Sequence, residues 1–431
     1  MSTSLTIFVP HCSDLLTDHL PHGDGLIAHG FITNLARRGH RLHVTAQRVE
    51  LREPVHPNIS IYPIGTKTEN GVRARLEYML KVRRLFHKLR KDFRFDLIHQ
   101  LNPVFAGMSL ALTGSGLPLV LGTYVARWPA DPDSLTSAET LRGRLSSFVR
   151  DRICALQQRQ ADSLLLTTPA AFNRIPNPRA VREKAYFLPH GVDMKTFSPL
   201  SLSERSALSS SSHRDPSILF FANIVARKGI FTLLEAFPQI VREFPDVTLR
   251  IAGDGPELPE VKRRAEPLAC APQIEFLGRQ ERRQAPGLYQ NCSIYCLPSN
   301  GEPYATTVIE AMSCGKPVVV TESGGFPHVV GPRGGKRVPV GDPAALAQGL
   351  IYLLRNPSEC EAMGIYNRRL VESSMSWPLV AQQLEDIYLQ TLERKVSVRG
   401  VWREALILGP SADSPAQERV PMNLMGDLRE R

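Results

Sequence analysis

The chain has 431 residues, enough for two compact units of about 200 residues or three of about 150. Hydrophobic residues make up 42% and charged residues 22%, ordinary globular proportions that exclude collagen-like, coiled-coil and wholly disordered chains. Fifty-two Lys and Arg against 42 Asp and Glu leave a net charge of +10, which favours acidic partners: nucleic acid, a phosphorylated substrate or an anionic membrane. The 34 prolines, ~8% against a usual ~5%, call for many loops that end elements.

The first residues, MSTSLTIFVPHCSD, lack the basic and apolar regions of a signal peptide. Short β-branched or aliphatic runs then alternate with helical patterns, the arrangement of parallel sheets with crossover helices. In the first half the runs are Leu5–Val9, Arg41–Ala46, Ile59–Tyr62, Asp96–His99, Pro118–Gly122, Ser163–Thr167 and Ala185–Leu188. Between the third and fourth lies a basic amphipathic helix over 72–94, with nine Lys or Arg against Glu77 and Asp92. Its apolar spacing predicts a buried face of Val72, Leu76, Met79, Val82, Phe86, Leu89 and Phe93. Leu97–Ala126 carries no charge and is long enough to span a bilayer, but Pro103, Gly107, Gly114, Gly116, Pro118 and Gly122 break it into pieces of a folded core.

A Ser-rich polar stretch, 199–215, reads as an interdomain linker. Beyond it the runs resume at Ser217–Ala222, Val247–Ala252, Gln273–Leu277, Ser293–Leu297, Pro317–Val320 and Lys336–Val338, and an amphipathic helix is expected over Trp377–Arg394. The expected organisation is therefore an α/β chain: domain 1–198, linker 199–215, domain 216–395 with its last helix packing back on the first domain, and a partly disordered tail 396–431. Seven cysteines with no C-x-x-C spacing read as reduced thiols, with no zinc site among them.

The segment Ser293 to Gly325 concentrates the chemistry. A buried strand ends at Pro298, a polar loop carries Glu302, a helix runs from about Tyr304 to Cys314 with Gly315 as its cap, and a strand follows at Pro317. This sets a carboxylate and free helix N–H groups at the carboxyl end of a parallel strand, where open α/β sheets bind ligands. Glu310 follows Glu302 after seven residues, so both can line one pocket.

Glu302-x7-Glu310 followed by Ala-Met-Ser-Cys-Gly-Lys-Pro-Val-Val resembles the glutamate pair of retaining family 4 glycosyltransferases of the GT-B fold. Pro21-His-Gly23-Asp-Gly25, Asn34 to His40, Pro189-His-Gly191-Val-Asp193, Ala222 to Gly229 and Ile251-Ala-Gly253-Asp-Gly255-Pro256 resemble that family's other segments, in its order, over roughly residues 5 to 390. The resemblance implies two Rossmann-like domains facing across a cleft, acceptor in the first and nucleotide sugar in the second. It assigns Glu310 to the ribose hydroxyls, Glu302 to the donor sugar, Lys228 to the leaving diphosphate, and Ala305, Thr306 and Thr307 to phosphate or sugar. Gly23 and Gly25 would admit the phosphate from the first domain.

Two departures stand out. Asn223 replaces an arginine common in the family, leaving Arg227 beside Lys228 as substitute, and Val125 stands near a usual histidine, with His99 as the nearest alternative. Asp131-Pro-Asp133 matches the metal motif of another glycosyltransferase fold but sits in a loop without that fold's strand order, so metal-independent transfer without a cofactor is expected. The expected partners are a nucleotide diphosphate sugar, a glycan or lipid-linked hydroxyl acceptor and an anionic membrane surface met by 72–94, and no nucleic acid. The expected location is cytoplasmic, on the inner face of the membrane. A nucleotide-sugar epimerase and a non-catalytic nucleotide-sugar-binding protein are the rival readings.

Overall fold

The computed structural model describes residues 4–67, 71–101, 107–124, 141–175, 177–201, 203 and 215–408. Two parallel sheets carry the fold. The first joins β1 (Thr6–Val9), β3 (Arg41–Ala46), β5 (Ile59–Pro63), β6 (Leu97–Gln100), β7 (Leu119–Tyr124), β8 (Ser163–Leu166) and β9 (Ala185–Phe187) in the order β5-β3-β1-β6-β7-β8-β9. The second joins β10 (Ser217–Phe221), β11 (Thr248–Ala252), β12 (Ile274–Gly278), β13 (Ile294–Leu297), β14 (Val318–Thr321) and β15 (Gly335–Val338) in the order β12-β11-β10-β13-β14-β15. Every described pairing is parallel, as the Val, Ile and Leu runs require when both faces are covered. The sequence missed one small feature, a two-stranded parallel pair of β2 (Leu15–Thr17) and β4 (Arg48–Glu50). Its strands are too short for a periodic signal.

The longer helices are α1 (Gly23–Arg37), α2 (Val72–Leu89), α3 (Leu141–Gln160), α4 (Ile230–Glu243), α5 (Thr306–Ser313), α6 (Pro343–Arg355), α7 (Pro357–Ser374) and α8 (Trp377–Leu408). On α2 the predicted Val82, Phe86 and Leu89 are buried and Met79 partly so, but Ala74 and Tyr78 take the places expected of Val72 and Leu76. Tyr78 decides this rotation: its hydroxyl reaches Thr45 Oγ1 at 3.0 Å and the Pro10 carbonyl at 3.3 Å. Val72, Leu76 and Leu80 consequently face outward. The uncharged stretch from Leu97 resolves into β6, a tight helical turn (Met108–Leu112) and β7, and among the described residues no helix is long and apolar enough to cross a membrane.

The crossing between sheets lies elsewhere than the Ser-rich stretch. Val192 and Phe197 already belong to the core of the second sheet, and the Phe197 carbonyl accepts from Ser313 Oγ at 2.5 Å and Arg368 Nη1 at 2.9 Å. The chain therefore passes over at 188–192 and returns at 375–377, where Val192 bridges Ser376 in parallel. Trp377 fills this crossing: a methyl group on Gly30 or Gly191 would stand 2.0 or 2.4 Å from its indole.

The first part of α8, up to Thr391, lies on the first sheet. Tyr388 Oη meets His99 Nδ1 at 2.5 Å, Ser163 Oγ meets Thr391 Oγ1 at 2.6 Å, and Arg38 pairs with buried Glu385. The helix runs on to Leu408, past the expected end near Arg394 and into the segment read as tail; Leu392–Arg431 forms a separate unit. The cysteines are all free of disulfides.

Candidate active site

β10 and β13 are adjacent at the centre of the second sheet, so the loops leaving their carboxyl ends meet. Three contacts fasten them. The Arg227 carbonyl accepts from Ser299 Oγ at 2.9 Å and from the Asn300 N–H at 2.7 Å, and Gly229, at φ 77°, lies where a Cβ would fall 1.9 Å from the Pro298 carbonyl oxygen. No other residue type fits at Gly229 without moving a strand end.

Glu302 sits on this brace and is 5% exposed. One of its oxygens, Oε1, receives Lys228 Nζ at 2.6 Å, Arg227 Nη1 at 2.9 Å and Ser299 Oγ at 2.9 Å. Its backbone is held as firmly, because its carbonyl accepts the Gly325 N–H at 2.6 Å and Gly324 packs against it. Buried and bound by two cations and a hydroxyl, Glu302 is part of a built cluster rather than a solvated loop acid.

Glu310 is likewise 5% exposed, on α5, one helical turn beyond Thr306. Its Oε1 is bonded by Arg282 Nη1 and its Oε2 by Tyr289 Oη at 2.9 Å. Burial, then the Glu310 charge, pushes the Tyr289 phenol well above its ordinary pKa, so it stays a donor. Arg282 lies over the Phe197 ring with Cζ 4.5 Å from the centroid; its pKa is raised, since Glu310 outweighs the opposing effect of burial.

α5 starts at Ala305, whose backbone is extended and whose side chain caps nothing, so the first N–H groups of the helix have no intrahelical acceptor. They and the positive dipole end form a place for an anion. The Thr307 hydroxyl bonds the buried Tyr295 phenol, which leaves Thr306 as the hydroxyl of this turn without that duty. The residues just before the helix touch the first sheet's side of the molecule: Thr168 Oγ1 donates to the Pro303 carbonyl at 3.2 Å and Tyr304 Oη to the His190 carbonyl at 2.9 Å.

The structure thus brings Glu302, Arg227 and Lys228 into direct contact and sets Glu310 on the same helix as Thr306 and Thr307, with Ala305 at its start. Asn223 is an exposed loop residue whose Oδ1 lies 2.8 Å from the Cβ position of Gly255, so it packs the neighbouring glycine loop. Gly23 opens α1 with free space where a side chain would go, whereas a Cβ on Gly25 would fall 2.1 Å from the Leu15 carbonyl oxygen. Gly25 is therefore demanded by helix–strand packing, and its N–H is taken by His22 Nδ1 at 3.1 Å.

His99 is not placed as a base. It is buried, its Nε2 donates to the Gly122 carbonyl at 2.5 Å, which leaves Nδ1 to accept from Tyr388, and burial lowers its pKa to about 4. Val125, Asp131 and Asp133 lie outside the described residues. Among the described residues no group of three or more His, Cys, Asp or Glu is placed to hold a metal ion. Sequence reasoning missed Arg282 and Tyr289. Arg282 stands in a turn at the carboxyl end of β12, fixed by a capping box between Glu281 and Gln284, and only that position relative to the sheet could have flagged it.

Two family models match the chain: a glycosyl transferase 4-like domain over residues 25–190 and glycosyl transferases group 1 over residues 205–370. A GDP-mannose-dependent monoacylated α-(1-6)-phosphatidylinositol monomannoside mannosyltransferase of Corynebacterium glutamicum is 32% identical over 210 residues, 46% of this chain, and the match spans only 55% of that enzyme's length. A phosphatidyl-myo-inositol mannosyltransferase of Mycobacterium leprae is 27% identical over 80% of this chain and 89% of its own. Among solved structures, a sucrose-phosphate synthase from Thermosynechococcus elongatus superposes with TM-score 0.70 at 19% identity, covering 91% of this chain and all of its own. An Anabaena protein in complex with UDP and glucose gives 0.66 at 18%, covering 89% and 99%. These structural likenesses establish the GT-B fold, two Rossmann-like sheets in one chain. With one family model on each sheet region, the chain is similar to the glycosyl transferase 4-like domain over its first sheet and to glycosyl transferases group 1 over its second.

Proposed function

We propose that the chain transfers a sugar, with retention of anomeric configuration, from a nucleoside diphosphate sugar to a hydroxyl of a lipid-linked or glycan acceptor of the cell envelope. The observation that carries this reading is the pair of buried, cation-bound carboxylates flanking an uncapped helix start. In this reading the α5 N–H groups and Thr306 hold a phosphate, and Glu310 accepts the ribose hydroxyls with the lone pairs that Arg282 and Tyr289 leave open. Glu302 faces the sugar. Lys228 and Arg227 share their charge between Glu302 and the departing diphosphate, whose charge grows in the transition state, and this supports transfer without a metal or cofactor. With His99 engaged in structure, the leaving phosphate itself is the group that takes the acceptor proton. The crossing segments at 188–192 and 375–377, rather than the Ser-rich stretch, serve as the hinge for cleft closure.

A membrane-borne acceptor is supported by two features of one face. α2 exposes Val72, Leu76 and Leu80 among Arg73, Arg83 and Arg84, and α3 exposes Phe148, Val149 and Leu156 beside Arg152. Both helices pack on the same Gly107–Leu112 turn, so both lie on one side of the sheet. That combination suits the inner, anionic leaflet.

The test is a thermal-shift panel of GDP-mannose, UDP-glucose and related donors on wild type and Glu310→Ala, in the presence and absence of chelator. Stabilisation by one donor, lost in the variant and indifferent to chelator, is expected. Incubation with that donor and a lipid acceptor, followed by NMR of the new linkage, reads the anomer. An epimerised sugar from donor alone, or dependence on a divalent cation, would overturn the proposal.

A further inference from the structure

We propose that Arg282 is a positioning residue for nucleotide recognition: it fixes the Glu310 carboxylate so that its free lone pairs meet the 2′- and 3′-hydroxyls of a ribose. This rests on the donor reading above and adds to it a residue that the glutamate-pair motif does not contain. The two oxygens of Glu310 are engaged from different sides, Oε1 by the Arg282 guanidinium and Oε2 by the Tyr289 phenol, so the plane of the carboxylate has no rotational freedom. Each oxygen keeps one lone-pair direction, the number that a cis-diol can use.

Arg282 is itself held, which is what a positioning role requires. Its guanidinium lies over the Phe197 ring at 4.5 Å, the turn carrying it is locked by the reciprocal Glu281–Gln284 capping box, and Phe197 is anchored to α5 through Ser313. Phe197 is fully buried in the second core, so this platform does not move independently of α5. Lysine has neither the planar fork nor the stacking face to replace it. The Arg227 and Lys228 cluster is separate, bound to Glu302, so removing Arg282 leaves the proposed diphosphate cations in place.

The experiment is isothermal titration of wild type, Arg282→Gln, Arg282→Lys and Glu310→Gln with GDP, UDP and their 2′-deoxy counterparts. Wild type is expected to prefer the ribose form of its nucleotide by on the order of tenfold, the scale of a hydrogen bond to a charged group. Arg282→Gln is expected to cut that preference to about twofold or less while changing affinity for the 2′-deoxy form by less than about threefold; Arg282→Lys falls between. An unchanged preference in Arg282→Gln, or equal losses for both sugar forms, would overturn the proposal. Should Arg282→Gln fail to fold, an unchanged preference in Arg282→Lys does the same. Loss of preference in Glu310→Gln but not in the Arg282 variants would sink only the role of Arg282. Failure of wild type to bind any of the four nucleotides would sink the donor reading with it.

Discussion

Three donors converge on a single oxygen of Glu302, and two of them are the cations proposed to receive the diphosphate. The cluster thus carries one net positive charge before substrate arrives, as a diphosphate site requires, and Lys228, the closer cation, carries most of the burden. Lys228→Ala is expected to lower kcat/KM by about 10²–10³, the range for removing one preorganised group that stabilises developing charge. Arg227→Ala should cost less, since its guanidinium is the more exposed partner; steady-state kinetics on both variants, with melting curves as control, decides the order. At this scale the sequence was informative where residues are close together. Glu302, Glu310, Arg227 and Lys228 lie in two short segments at strand ends. Arg282 lies 28 residues from its partner Glu310 and belongs to no motif, so only folding of the turn after β12 onto α5 reveals it.

The lesson of α2 is about rotation. Periodicity placed Val82, Phe86 and Leu89 correctly in the buried face, but the sheet offers Tyr78 two hydrogen-bond partners at its carboxyl end, and burying a tyrosine with its hydroxyl satisfied outweighs burying Val72 or Leu76. The displaced Val72 and Leu76, together with Leu80, form an outward row at i, i+4 and i+8 within a basic field. Replacing Val72, Leu76 and Leu80 by serine is expected to abolish flotation with vesicles containing anionic lipid while leaving unfolding free energy within about 0.5 kcal/mol per site, as exposed positions allow. Arg83→Glu with Arg84→Glu should instead weaken binding by about 1 kcal/mol for each charge removed and more at low salt. Vesicle binding that persists in the serine variant would remove α2 from the membrane reading.

For the whole molecule, two buried histidines tie the sheets and helices together and make stability depend on pH. Burial lowers the pKa of His99 to about 4 and of His190 to about 3, against an ordinary 6.5. As pH falls below 6.5 the unfolded chain takes up protons that the folded chain refuses, so stability decreases from about pH 6.5 to about pH 4 for His99 and on to about pH 3 for His190, by several kcal/mol in all. Melting temperature measured at pH 7, 6, 5 and 4.5 should show that decline. His99→Gln, which cannot titrate, should flatten part of it while losing stability at pH 7 through the weakened link between β6, β7 and α8. An equal acid decline in the variant would exclude His99 as a source.

What the sequence by itself determined was the order of elements, the α/β class and the two glutamate-bearing segments. These depend on local period, on turn residues such as Gly315 and on spacing along the chain, all written in consecutive residues. Only the tertiary structure decided which face of α2 is buried and that the crossing lies at 188–192 and 375–377. Only it decided that Gly25 serves packing, that His99 is spent on Gly122 and Tyr388, and that Arg282 completes Glu310. Each of these turns on partners distant in sequence. A buried polar group or a close backbone approach is settled by what stands opposite it, and the linear chain does not say what that is.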